Sequence, residues 1–325
     1  MIELFYFIIL AIIISLAIDI VFGELPTKIH PVVIIGSIIT FFKNIFIKIK
    51  NRISGLLLFV CTNVIVSALL LVLYLIFSLN EILLFVIFTI LLSSTFSVNM
   101  LLKTATDVKK DLDEDIDKAR KSVSYLVSRD TDELSESFIV SAVIESLTEN
   151  ITDSYVAPMF YYSIFGIIIL LNPLKYQLYF LLLVPMIYRS CNTLDAMVGY
   201  KTDELKYIGF VPAKIDDILN YIPSRISGIY VVISAYLLKL DGKNSYMIMK
   251  RDARKCPSPN SGYTMATTAG ALNIQLIKRD TYVLGDANKE ISKDDITRAV
   301  NLSKLTIILF TLTILILLTL IHVII

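Results

Sequence analysis

Three carboxylates, Glu145, Glu149 and Asp153, recur at four-residue spacing in the stretch VIESLTENITDSYVAPMFYY, residues 143–162. On a helix that spacing stacks them along one face, where like charges repel. With Asn150 beside them they offer oxygen ligands suited to a hard cation such as Mg2+, which in turn brings phosphate. The plainer alternative is a solvated helix face. Phe138, Ile139, Val140, Val143, Ile144 and Leu147 leave the acidic face narrow, and Pro158 and an apolar run follow, which favours the ligand reading.

Other polar residues stand at similar borders. Asp19 lies near the end of the first apolar block; a carboxylate costs about 2.5–3.5 kcal/mol at mid-membrane and much less near the interface. The stretch DIVFGELPTKIHPVVIIG carries Glu24 and His30 between Gly23, Pro26, Pro31 and Gly36, a ligand loop or a solvated turn. Arg189, Asn192, Asp195 and Lys201 follow a later span. Lys214, Asp216, Asp217, Asn220 and Arg225 follow in turn, and an amphipathic surface helix explains that group equally well. Asp216 and Asp217 point in different directions on a helix, so at most one shares a site with Asn220. Ser258 and Asn260 lie in a Pro-Ser-Pro-Asn-Ser-Gly loop ahead of a small-residue helix, a place where backbone N–H groups can meet an anion. No GxxxxGK[ST], GxGxxG, GxSxG or HExxH motif is present. A bound nucleotide would therefore rely on Mg2+ at the carboxylates and on Lys and Arg.

The elements that must position these residues are membrane helices. Mean hydropathy is +0.73 and 56% of the 325 residues are hydrophobic, gathered in blocks. Residues 4–22, 55–78, 82–102 and 305–325 are each long enough to cross a bilayer, which takes roughly 20 residues. Block 155–188 is too long for one span and is cut by LLNPLK, which predicts a hairpin of 155–171 and 174–188. Segment 226–240 is too short to span and reads as a helix buried among others or a re-entrant piece. The class is an all-α polytopic integral membrane protein, one membrane-embedded catalytic domain over 1–325, with about four full spans, a helical hairpin and cytoplasmic helical loops.

Polar segments 23–54, 103–154, 188–225 and 241–304 then fall on one side of the cell membrane. The positive-inside rule puts them in the cytoplasm, given Lys28, Lys43, Lys48, Lys50 and Arg52 in the first and no Lys or Arg at 79–81. Segment 103–137 predicts a helical pair with an apolar stripe of Leu112, Ile116 and Ala119, broken near Arg129, Asp130 and Thr131. Glu3 and Asp19, with no cleavage site, argue against a signal peptide. A net charge of +1 without a basic, aromatic-interleaved stripe argues against a nucleic-acid partner. Cys61, Cys191 and Cys256 are dispersed packing residues, and His30 and His322 build no zinc site with them.

Taken in order, the motifs resemble the adenosylcobinamide-phosphate synthases, membrane amide synthases of late cobalamin assembly. The residues that carry the resemblance are Asp19, Gly23, Glu24 and His30-Pro31-Val32, then Glu145 to Phe160, Asn192 to Tyr200, Asp216 to Arg225, and Ser258 to Gly262. They cover nearly the whole chain. Departures are Glu24 where Asp is usual with the next proline one place late, Tyr263 where Trp is frequent, and Ile277-Lys278 in place of a glycine pair.

The resemblance implies a corrinoid substrate, adenosylcobyric acid, whose free propionate is phosphorylated by ATP and then attacked by (R)-1-amino-2-propanol or its O-phosphate. On that reading Glu145, Glu149 and Asp153 hold Mg2+–ATP with Asp216 or Asp217 helping. Arg189, Lys201, Lys214 and Arg225 face phosphates or the propionate, His30 and Asp19 deprotonate or orient the amine, and the Ser258–Asn260 loop binds the aminopropanol phosphate. All of these acids are expected in one cytoplasmic pocket, lipid surrounds the spans, and a homo-oligomer is left open. Two rival classes are an Mg2+-dependent intramembrane transferase of a diphosphate substrate and a transporter. The first wants repeated Asp motifs and finds one Asp-Asp pair; the second wants a two-fold repeat, and none is visible.

Overall fold

The computed structural model describes residues 3–127 and 130–325. In chain order the helices are α1 (Leu4–Phe22), α2 (Pro31–Phe46), α3 (Ile53–Phe77), α4 (Glu81–Ser93), α5 (Val98–Glu114), α6 (Ile116–Ser124) and α7 (Glu136–Ile151). A π-helical turn, Thr152–Val156, joins α7 to α8 (Ala157–Leu171). There follow α9 (Gln177–Val198), α10 (Phe210–Leu219), α11 (Tyr221–Leu237), α12 (Gly242–Asp252) and α13 (Gly262–Leu272). A short antiparallel hairpin, β1 (Leu276–Lys278) and β2 (Tyr282–Leu284), precedes α14 (Lys293–Ile324). Among the described residues five helical stretches are long and apolar enough to cross a membrane: Leu4–Phe22, Ile53–Phe77, Glu81–Glu114, Glu136–Leu171 and Lys293–Ile324. The chain is an all-α polytopic membrane protein, because only a helix satisfies its own backbone inside lipid over such lengths.

The chain divides into two compact units. The first holds residues 1–97, 157–219 and 314–325; the second holds 98–156 and 220–313. In the first, α9 is the hub, packed by α2, α3, α4, α8 and α10. Helices α1 and α4 meet where Phe7 lies edge-on to Phe85 and Phe88, each with ring centroids 5.0 Å apart. Buried phenols pin the bundle: Tyr162 donates to the Ile8 carbonyl at 3.2 Å and Tyr179 to the Ser67 carbonyl at 3.1 Å. The hairpin of α8 and α9 turns at Asn172-Pro173, as expected.

The second unit is built around α13. Its small residues, Gly262 and Thr264 through Leu272, are buried, with α7, α11 and α12 packed against it. Buried Asp252 at the end of α12 is gripped by Arg251 at 2.8 Å, Lys255 at 2.6 Å and the backbone N–H of Gly285 at 2.9 Å. That grip fixes the loop after β2.

Several boundaries differ from the sequence-based expectation, each for a local reason. The predicted span 82–102 is interrupted at 94–97. There Ser93, Ser94 and Thr95 turn their hydroxyls onto the carbonyls of Ile90, Leu91 and Leu92, competing with the helix ladder. The break in segment 103–137 falls at Asp115, which caps α6 by accepting from the Asp117 N–H at 3.2 Å. Arg129 lies outside the described residues. Of the predicted stripe Ala119 is buried and Ile116 exposed. Helix α11 is half-buried instead of surrounded, with Val231 and Ala235 inside and Ile229 and Ile233 exposed. The last helix begins at Lys293, not 305, because Asp295 accepts from the Ser292 N–H at 3.0 Å and closes its first turn. The acidic stretch and the following span are one helical rod from Glu136 to Leu171, and the π turn lets it pass Pro158, which has no N–H to donate.

Candidate functional site

In the first unit, motif residues far apart in the chain converge. Helix α1 ends at Gly23, whose φ of 71° suits glycine and whose N–H returns to the Asp19 carbonyl at 2.9 Å. Asp19 itself is buried. Glu24 follows and accepts from Ser97 Oγ at 3.0 Å. His30 closes the N-terminus of α2, its Nδ1 accepting from the Val32 N–H at 3.2 Å, with Pro31 at the first helical position where no donor is missed. Burial pushes the His30 imidazole below its ordinary value; Glu24 works against that and Arg189 with it. Arg189 donates to Asn192 Oδ1 at 3.3 Å, and Asn192 in turn to Asp216 Oδ1 at 3.5 Å. Burial, helped by Asp217, holds the Asp195 carboxyl above the usual range. Gly199 allows this packing, since a Cβ there would lie 1.9 Å from Asp195 Oδ1. Asp217 pairs with Lys214 at 3.5 Å, and Lys201 is exposed.

In the second unit two groups form. Glu145 is buried, and both its oxygens are occupied: Ser141 Oγ donates at 2.6 Å and Tyr282 OH at 2.8 Å. Burial, then Glu145 and Glu149, push the Tyr282 phenol up, and the same forces raise the Cys256 thiol to about 12, an unreactive state. Glu149 and Asp153 are half-buried. The second group is the Pro-Ser-Pro-Asn-Ser-Gly loop. Arg225 donates to Asn260 Oδ1 at 2.7 Å and to the Pro259 carbonyl at 3.2 Å. Its guanidinium carbon lies 3.6 Å from the Tyr221 ring centroid and 4.2 Å from that of Tyr263. Ser258 Oγ accepts from the Asn260 N–H at 3.2 Å, and Asn220 is buried at the start of α11. Arg225 therefore clamps this loop with its own donors.

The carboxylates are the candidate Mg2+ ligands. No three His, Cys, Asp or Glu side chains form a ready cage among the described residues. Mg2+ seldom needs one, taking one or two carboxylates with waters and substrate phosphates. Glu149 and Asp153 fit that demand. Glu145 differs in that the Ser141 and Tyr282 hydroxyls each already donate to one of its oxygens. Asp216 accepts from Asn192 in the first unit. Ser141, Tyr282 and Ser97 were not anticipated. Only the first left a trace in sequence, a serine four residues before Glu145.

A family profile described as "CobD/Cbib protein" matches residues 12–303. Curated relatives share the name "Probable cobalamin biosynthesis protein CobD". That of Methanothermobacter thermautotrophicus is 46% identical over 298 residues, 92% of this chain and 94% of the relative. Those of Methanococcus aeolicus and Methanocaldococcus jannaschii are 41% and 39% identical, covering 86% and 85% of this chain and 88% and 87% of theirs. No solved structure matches.

Proposed function

The chain belongs to the CobD/Cbib family of cobalamin biosynthesis proteins, and from that premise we propose that it is an ATP-dependent amide synthase of the cell membrane. It would join (R)-1-amino-2-propanol, or its O-phosphate, to the free propionate of adenosylcobyric acid, with its polar loops in the cytoplasm. The γ-phosphoryl group of ATP passes to the propionate oxygen, giving an acyl phosphate and ADP. The amine nitrogen then attacks the acyl carbon, the C–O bond to phosphate breaks, and the amine gives up a proton.

The observation that carries the reading is the convergence of Glu24, His30, Arg189, Asn192 and Asp216 in one unit. Such chemistry asks for cationic and hydrogen-bonding groups around an oxyanion more than for a protein nucleophile. Mg2+ would be held by Glu149 and Asp153 and would neutralise phosphate charge. Asp195 and Asp217, close enough to raise the Asp195 carboxyl, form an acidic pair suited to receive the proton the amine loses.

The experiment is direct. Purified protein in detergent receives ATP, Mg2+, adenosylcobyric acid and either amine. Corrinoid-dependent ADP release with amide formation is expected, abolished in a folded Glu149→Gln variant. ADP release indifferent to the corrinoid, or full activity in that variant, overturns the assignment or the role of Glu149 respectively.

A further inference from the structure

We propose that His30 serves the reaction as a hydrogen-bond donor through Nε2–H, presenting it with Arg189 to a substrate oxyanion, and not as a base. The starting point is the cap on α2, where Nδ1 of His30 lies 3.2 Å from the Val32 backbone nitrogen. A backbone N–H can only donate, so Nδ1 must contribute its lone pair. In a neutral imidazole the single proton then resides on the other nitrogen, Nε2. Adding a proton at Nδ1 would set two N–H groups against each other and place a cation at the positive end of a helix. Burial opposes the same protonation and outweighs Glu24, whose charge favours it; Arg189 adds to the opposition. A ring with its lone pair already engaged has an N–H to offer and nothing with which to abstract a proton. An imidazole kept neutral at a helix N-terminus is an established electrophile of this kind.

Arg189 supplies an independent observation. Its Nε is buried and has no hydrogen-bond partner among the described residues, while one terminal nitrogen is committed to Asn192. A buried guanidinium N–H without an acceptor is costly, and the acceptor it suits is a carboxylate or phosphoryl oxygen. The ligand class is thus an oxyanion. That it is the propionate or its acyl phosphate rests on the amide-synthase reading.

The test separates the two claims. The chain has two histidines, His30 and His322, so ¹⁵N-histidine-labelled His322→Gln protein in detergent shows a single imidazole. At pH 7 the ring is expected to be neutral with its proton on Nε2, and the Nε2 resonance should move on titration with inorganic phosphate. That response should largely vanish in Arg189→Gln. A proton on Nδ1, an imidazolium at pH 7, or indifference to phosphate overturns the proposal. In the amidation assay, His30→Asn can cap Val32 and still donate, whereas His30→Asp can cap but not donate. The aspartate variant should lose about 10²-fold more in kcat than the asparagine variant, the usual effect of removing one oxyanion donor; equal losses overturn the donor role. A protein with the Nε2 tautomer and the phosphate response but no amidation would sink the functional assignment and leave this one standing.

Discussion

Tyr282 donates its phenolic hydrogen to Glu145 Oε2 at 2.8 Å, tying β2 to α7 across a sequence separation of 137 residues. The bond makes Glu145, the first acid of the 145–153 stripe, an anchor for the hairpin, with Ser141 holding its other oxygen. Hydrogen bonds to charged groups contribute roughly 1.5–3 kcal/mol each. Tyr282→Phe and Ser141→Ala should each lower the melting temperature in detergent. The double variant should depart from additivity by more than about 0.5 kcal/mol, since both donors serve one carboxylate. The Mg2+ concentration for half-maximal activity should stay where it is in Tyr282→Phe; a large rise would return Glu145 to the metal.

Gly199 and Asp195 form a second pair that can be tested. A methyl at 199 would overlap Asp195 Oδ1, so Gly199→Ala should destabilise by about 1–3 kcal/mol through overpacking. Trimming the opposing side chain in Gly199→Ala/Asp195→Ala should recover only part of that stability, since the Asp195 carbonyl would still lie 2.7 Å from the new methyl, and none of the amidation. Thermal melts of the two variants decide it.

Asp252 makes the second unit acid-sensitive. Burial alone would raise its carboxyl, but Arg251, Lys255 and the Gly285 N–H outweigh that and hold it at about 2. The folded value lies below the ordinary aspartate value near 3.9. Its contribution is therefore complete above about pH 4 and is lost as pH falls through about 2. Melting temperatures between pH 5 and 2 should fall more steeply in the native protein than in Asp252→Asn, and parallel curves would contradict the assignment.

Arg225 offers the clearest contrast between clamp and phosphate ligand. Tyr263→Trp keeps an aromatic face over the guanidinium and should leave the 256–262 loop resistant to proteolysis. Tyr263→Ala should lose about 0.5–2 kcal/mol and expose the loop to cleavage. Arg225→Lys should behave like the alanine variant, because an ammonium cannot reach Asn260 and Pro259 in one planar fork.

What could be read from the residues alone follows a physical line. The spans were legible because lipid demands long unbroken apolar runs, and the α8–α9 turn because Asn172-Pro173 interrupts one. The grouping of Arg189 with Asn192 was legible because helix periodicity brings residues three apart together. The β1–β2 hairpin was not, since strands of three residues leave hardly any periodic signal. With the hairpin unseen, Tyr282 had no route to Glu145, so spacing alone does not show that the first acid of the stripe also ties two elements together. Interruptions at Ser93–Thr95 and Asp115 depend on hydroxyl and carboxylate groups choosing the backbone over water, a choice that composition does not record.

Helix α13 has a bearing on how the protein opens. Its small side chains are enclosed on every side but Tyr263, so water has no local route to its peptide groups. Deuterium should reach those amides only when the surrounding unit comes apart as a whole. Their exchange rate then becomes an internal clock for the cooperative opening of residues 98–156 and 220–313, readable by mass spectrometry without any substrate.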